Sequence, residues 1–276
     1  MRNCILLHIL LVALATAQAD QCTKSTTPKA SSGTVKQTPD TKREKAAIES
    51  IFSKINTAAN NLKTCQADIS YLSVQDPDLL DTRILRTGVL YYKKQDDERS
   101  NLRIRFDTIK QDDFDPEKQR EEYLFDGIWL THINFKLEQI DKYQQSPQGK
   151  PIDVFELINH HFPLIGFSGT ESMEKEFDIS LKKTDDPNEA PSLILNVKAD
   201  SKFKESYEKV YFAIDKCLNL PSKVVAFTPQ GDESHVEFSY AKVNKKLKNT
   251  VFRVETPKDF RQNVKRLENQ PSRKER

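Results

Sequence analysis

The sequence predicts a mainly β protein with a smaller share of helix, folded as one domain around a strongly curved antiparallel sheet. Three observations predict it. A long amphipathic helical pattern stands ahead of the rest, and about a dozen short runs with two-residue alternation follow it. A helical insertion interrupts those runs near the middle of the chain, so helices and strands do not alternate as βα units would. The helices are the elements able to cover a concave sheet face; a closed barrel filled by its own side chains is the competing architecture.

In chain order, "MRNCILLHILLVALATAQA" combines one Arg, an apolar run from Ile5 and small residues at Ala17 and Ala19. That is a secretory signal with cleavage expected after Ala19. The apolar run is short of the roughly 20 residues that span a bilayer. Asp20 and Gln21 precede Cys22, where a lipid-attachment site would want small apolar residues, so export as a free soluble protein is expected. Residues 20–43 are rich in Ser, Thr, Lys and Pro and bury too little to fold; they are expected to be a disordered linker. From Glu44, Ala47, Ile48, Ile51, Ile55, Ala58, Ala59 and Leu62 recur at helical spacing.

Strands are predicted over 65–75, 84–94, 101–108, 120–125, 128–135 and 137–143. In "NLRIRFDTI", Leu102, Ile104 and Phe106 share one face while Arg103, Arg105 and Asp107 share the other, the mark of a half-buried strand. "YLFDGIWLTHI" reads as a hairpin, with Asp126-Gly127 supplying the positive-φ positions of a tight turn. Pro151 opens a helical stretch with Ile152, Phe155, Ile158 and Phe162 near one stripe, and a short helix is predicted over 170–175. Strands resume over 178–183, 193–198, 207–214, 222–228, 235–243 and 250–254, and residues 261–276 read as a basic disordered tail. The folded domain is thus expected over 44–260.

Charged residues make up 30% of the chain, but the net charge is only +2, which demands no nucleic-acid partner. With the signal removed, Cys22, Cys65 and Cys217 remain in an oxidising compartment. Cys22 lies in the linker, so Cys65 with Cys217 is the natural disulfide; two isolated buried cysteines are the alternative. No spacing of Cys and His suggests a metal, and no cofactor is expected.

The order of "INTAANNLKTCQADISY", "TGVLYYKK", "LRIRFD", "EYLFDGIWLTHINFKLEQIDKY", "PIDVFELINHHFPLIGF" and "AKVNKKLKNTVFRVETPKDF" resembles the LolA-like family of periplasmic carriers of outer-membrane lipoproteins. The resemblance covers about residues 44–260 and rests on order and spacing. It implies an incomplete antiparallel β-barrel of about 11–12 strands, covered by the N-terminal helix and a mid-chain helical lid. The apolar cavity would hold lipoprotein acyl chains or lipid. Its lining is expected from Leu102, Ile104, Phe106, Phe155, Ile158, Val210, Phe212, Val236 and Phe238. Family members carry an Arg-Pro pair whose Arg helps latch the lid; Lys94-Gln95 stand there in this chain, making Lys94 the implied latch.

The mature protein is expected to be a monomer, and the resemblance further implies the periplasm, with an inner-membrane release complex and an outer-membrane acceptor as partners. A LolA-like sensor or binding module that does not shuttle, and a secreted β-protein with an ordinary filled core, are the rival functions. An enzyme is not expected, since no GxSxG, HExxH or glycine-rich phosphate loop occurs and there are only seven glycines. His160 and His161 beside Glu156 come nearest to a catalytic constellation, but adjacent helical residues point about 100° apart. They are expected to be a solvated His and a lid-edge His.

Overall fold

The computed structural model describes residues 40–79, 81–95, 99–154, 157, 169–182 and 190–267. Helix α1 (Asp40–Asn60) buries Ile48, Phe52, Ile55 and Ala59, three or four residues apart and so on one face. Its end is closed from outside the helix: the Asn244 amide donates to the Asn61 carbonyl at 3.0 Å and accepts from Lys63 N at 2.7 Å.

Six strands follow as a meander: β1 (Thr64–Gln75), β2 (Thr82–Lys94), β3 (Ser100–Gln111), β4 (Glu117–Phe125), β5 (Trp129–Asn134) and β6 (Gln139–Gln144). After helix α2 (Gly169–Glu176) comes a second meander of β7 (Phe177–Leu181), β8 (Ser192–Val197), β9 (Lys209–Ile214), β10 (Pro221–Phe227) and β11 (Glu233–Val243). A 3-10 turn (Asn249–Phe252) and β12 (Arg261–Lys265) close the chain. The twelve strands form one sheet in the order β12-β6-β5-β4-β3-β2-β1-β11-β10-β9-β8-β7. Its ends do not meet, so the barrel is incomplete rather than closed.

Local chemistry sets the joints. In the β4–β5 hairpin Gly127 takes the positive φ of 95°, and Asp126 instead accepts from the N–H groups of Ile128 and Trp129 at 3.0 and 2.8 Å. At the β2–β3 bulge beside Gly88, a Cβ on Gly88 would stand 1.8 Å from the Arg105 carbonyl oxygen, so the backbones approach where only glycine fits.

Alternation puts Cys65, Ala67, Ile69 and Tyr71 of β1 into the main core together with the buried face of α1. On the convex side a second cluster joins Ile133 and Ile140 to Phe260, with Leu124, Phe135 and Val254 against it. The chain after β11 is held there by Arg103, which chelates the Glu122 carboxylate at 2.7 and 3.0 Å and gives its remaining NH₂ group to the Val251 carbonyl.

Two sequence expectations are corrected. The run 250–254 is not a strand: both sides of β1, β2 and β3 are already paired, so the segment crosses the convex face and its first part becomes the 3-10 turn. The sheet also continues past residue 260, because Arg261–Lys265 add in parallel to β6. Polar pairs hold that strand, Arg261 Nη2 to Gln139 Oε1 at 2.7 Å and Asn263 Nδ2 to Asp141 Oδ1 at 2.8 Å, so hydrophobic alternation could not announce it.

Candidate functional site

Register shows which side chains share the concave face. Leu102 lies between Tyr92 and Phe125, Ile104 between Leu90 and Tyr123, and Phe106 between Gly88 and Glu121. Across the β1–β11 junction, Val236 opposes Tyr71 and Phe238 opposes Ile69; Val224 then links Val236 to Phe212. Leu102, Ile104, Phe106, Val210, Phe212, Val236 and Phe238 all belong to one continuous core with the buried face of α1, and none is more than 5% exposed. The structure therefore gathers these seven on one surface, packed against the protein's own helix. Phe155 and Ile158 lie outside the described residues, as do Glu156, His160 and His161.

The cover over this face is helical. Among the described residues, Leu181 N of β7 donates to Glu44 Oε1 of α1 at 2.9 Å, and Lys45 of α1 pairs with Glu174 of α2 at 3.3 Å on the surface. The mid-chain insertion enters the core through Val154 and Leu157, both buried, and Val154 N donates to Ser100 Oγ at 2.8 Å. Beside it burial, then the charge and hydrogen bond of Asp153, push the Tyr92 phenol well above its usual range. Lys94 ends β2 with its N–H bonded to the Lys63 carbonyl at 2.8 Å; most of the lid it was expected to latch lies outside the described residues.

Cys65 is buried and unbridged, while Cys217 is exposed in the turn between β9 and β10, so the expected Cys65–Cys217 disulfide is not formed. One thiol inside the core and one at its surface do not meet. Burial pushes the Cys65 thiol up to about 12.

One end of the concave face is polar, and sequence reasoning did not single it out. Glu121 accepts from Arg86 Nε at 3.2 Å, Tyr123 Oη at 3.0 Å and His132 Nε2 at 2.6 Å. The His132 ring stacks on Tyr123 with centroids 4.5 Å apart, and its Nδ1 lies 3.8 Å from Asp141. Burial alone would raise the Glu121 carboxyl, but His132, Arg86 and Tyr123 outweigh it and hold it below the ordinary value. The available signal was "REEY": two adjacent glutamates in an alternating strand must point to opposite faces, Glu121 inward and Glu122 to Arg103 and Arg120 outside.

No family model matches the chain, and no curated protein matches it. Among solved structures it is similar to an uncharacterized conserved protein from Thermus thermophilus, at 13% identity over 79% of this chain and 99% of that one, with a TM-score of 0.46. A putative outer membrane lipoprotein-sorting protein domain from Vibrio parahaemolyticus matches at 10% identity over 77% and 97%, TM-score 0.37. A LolA superfamily protein from Nitrosomonas europaea matches at 14% identity over 74% and 96%, TM-score 0.29.

Proposed function

We propose that the protein is a periplasmic carrier whose concave sheet face takes the acyl chains of a lipoprotein and conveys them toward the outer membrane. One observation carries this. The broad apolar face of an open sheet is covered by helices, and α1 is bonded to Asn244 just past its end while its start is tied to the sheet by Glu44. A second sheet could not leave without breaking a ladder; an amphipathic helix can.

The exchange is also energetically reasonable. Each buried CH₂ of an acyl chain contributes about 0.8 kcal/mol, so several chains would not cross water unaided. Replacing the apolar face of α1 by acyl chain swaps like for like, which keeps loading and release nearly balanced. Lys94 as a lid latch, an inner-membrane release complex and an outer-membrane acceptor belong to the same proposal, as does binding rather than catalysis as the protein's activity.

The test is native mass spectrometry of protein exported in its own cell, read for bound lipid, together with displacement of a fluorescent acyl probe. Phe212→Glu places a charge in the apolar face and is expected to lower probe binding before it unfolds the sheet. A protein that carries no lipid, binds no acyl probe and loses only stability on that substitution has a filled core instead. The tight burial of the seven lining residues favours that second function.

A further inference from the structure

Two cavities open side by side on the convex side of the sheet. One, about 270 Å³, lies between β4–β6 and the segment from Phe252 to Thr256; the other, about 650 Å³, extends from Trp129 toward Arg99, Pro151 and Arg253. Both are lined by Asn101, Asp126, Trp129 and Phe252, so they are two halves of one groove. Its centre is the chain's single tryptophan. Trp129 alternates with the buried Leu130, which places the groove on the opposite side of the sheet from the apolar concave face.

Among the described residues at the groove, basic side chains outnumber acidic ones. Arg99, Lys142 and Arg253 line it, and the Arg266 guanidinium stands 5.9 Å from the centre of the Trp129 ring. Asp126 is the one carboxylate among its described lining residues, and it is turned into its own hairpin, taken up by the N–H groups of Ile128 and Trp129. Side-chain amides of Gln95, Asn101 and Gln148 line the walls. An aromatic floor among arginines is the composition on which interfaces concentrate their binding energy.

We infer that this groove docks an acidic peptide segment of a partner protein, seating an apolar side chain against Trp129 and Phe252 while its carboxylates meet Arg99, Arg253 and Arg266. A peptide fits because the site is concave, walled on both sides and edged with amides that can pair with a main chain. A flat anionic membrane would meet projecting side chains rather than a recess. The positive field also speeds encounter with an acidic segment.

Trp129 reports on its own site. The full chain is titrated with an Asp/Glu-rich peptide of about twelve residues bearing one central Phe, following tryptophan emission. The expected result is a saturable change that weakens as salt rises and is absent with a Lys-rich peptide of equal length. Arg253 and Arg266 are both exposed, so Arg253→Glu with Arg266→Glu is expected to lower affinity about tenfold with the melting temperature unchanged. Arg253→Gln should give a smaller loss of the same sign. Acyl-probe binding, which uses the other face, should not move in these variants. No saturable change, an equal response to the Lys-rich peptide, or unaltered affinity in the double variant overturns the inference. A response to phosphatidylglycerol vesicles without one to the peptide also overturns it and assigns the groove to a membrane.

Discussion

At Glu121 a carboxylate inside the sheet is kept ionised by donors from three strands: Arg86 on β2, Tyr123 beside it on β4 and His132 on β5. Its acid constant in the folded protein is lowered, so its contribution is present above the unfolded value of about 4.3 and is lost as pH falls through the folded one. Urea denaturation between pH 3 and 6 is expected to show a steep acid limb that flattens in Glu121→Gln. At pH 7 the same substitution should destabilise by about 2 to 3 kcal/mol, because the half-buried Arg86 loses its charged partner. An unchanged acid limb would remove Glu121 from this role. Cys65 makes the complementary case, since the thiolate is the reactive form and burial withholds it. Iodoacetamide at pH 8 is expected to leave Cys65 unmodified in native protein and to alkylate it in denaturant; labelling in the native state would contradict its burial. Periodicity gives the face each residue turns to, but not the partners it meets there. The environment of Glu121 is assembled by register between strands, and a thiol's partner depends on positions that spacing does not encode.

Elements were the most legible scale, for a physical reason: alternation records which face meets the core, and β1, β3, β9 and β11 write it plainly in Ile69 and Tyr71, Ile104 and Phe106, Val210 and Phe212, Val236 and Phe238. The same signal misled at 250–254, where apolar alternation exists but β1, β2 and β3 are already paired on both sides, and it was silent at β12, whose five residues are all exposed. Gly88 shows an element whose shape rests on one position. Gly88→Ala would drive a methyl into the Arg105 carbonyl and the Phe106 Cα, both backbone, so β2 and β3 must part. The expected cost is about 3 kcal/mol, measured as a shift in the urea midpoint with m unchanged. A loss below about 1 kcal/mol would mean that the bulge relaxes freely.

For the whole molecule, the sequence indicated one domain and a concave face covered by helices, while the direction each face turns came only from the pairing of distant strands. The strand order has a further consequence for how the chain reaches this structure. Within each meander every strand pairs with its neighbour in sequence, and those contacts close small loops. The two halves meet along β1 and β11, where Tyr71 and Ser234 touch from 163 positions apart. Loop-closure entropy makes that junction the slow event of folding. Substitution at the junction, Ile69→Val, is expected to slow refolding in stopped-flow mixing with little change in unfolding. Asn263→Ala on the late-joining β12 should do the reverse and only hasten unfolding. The junction would thus be the place where time, rather than stability, limits the yield of native protein.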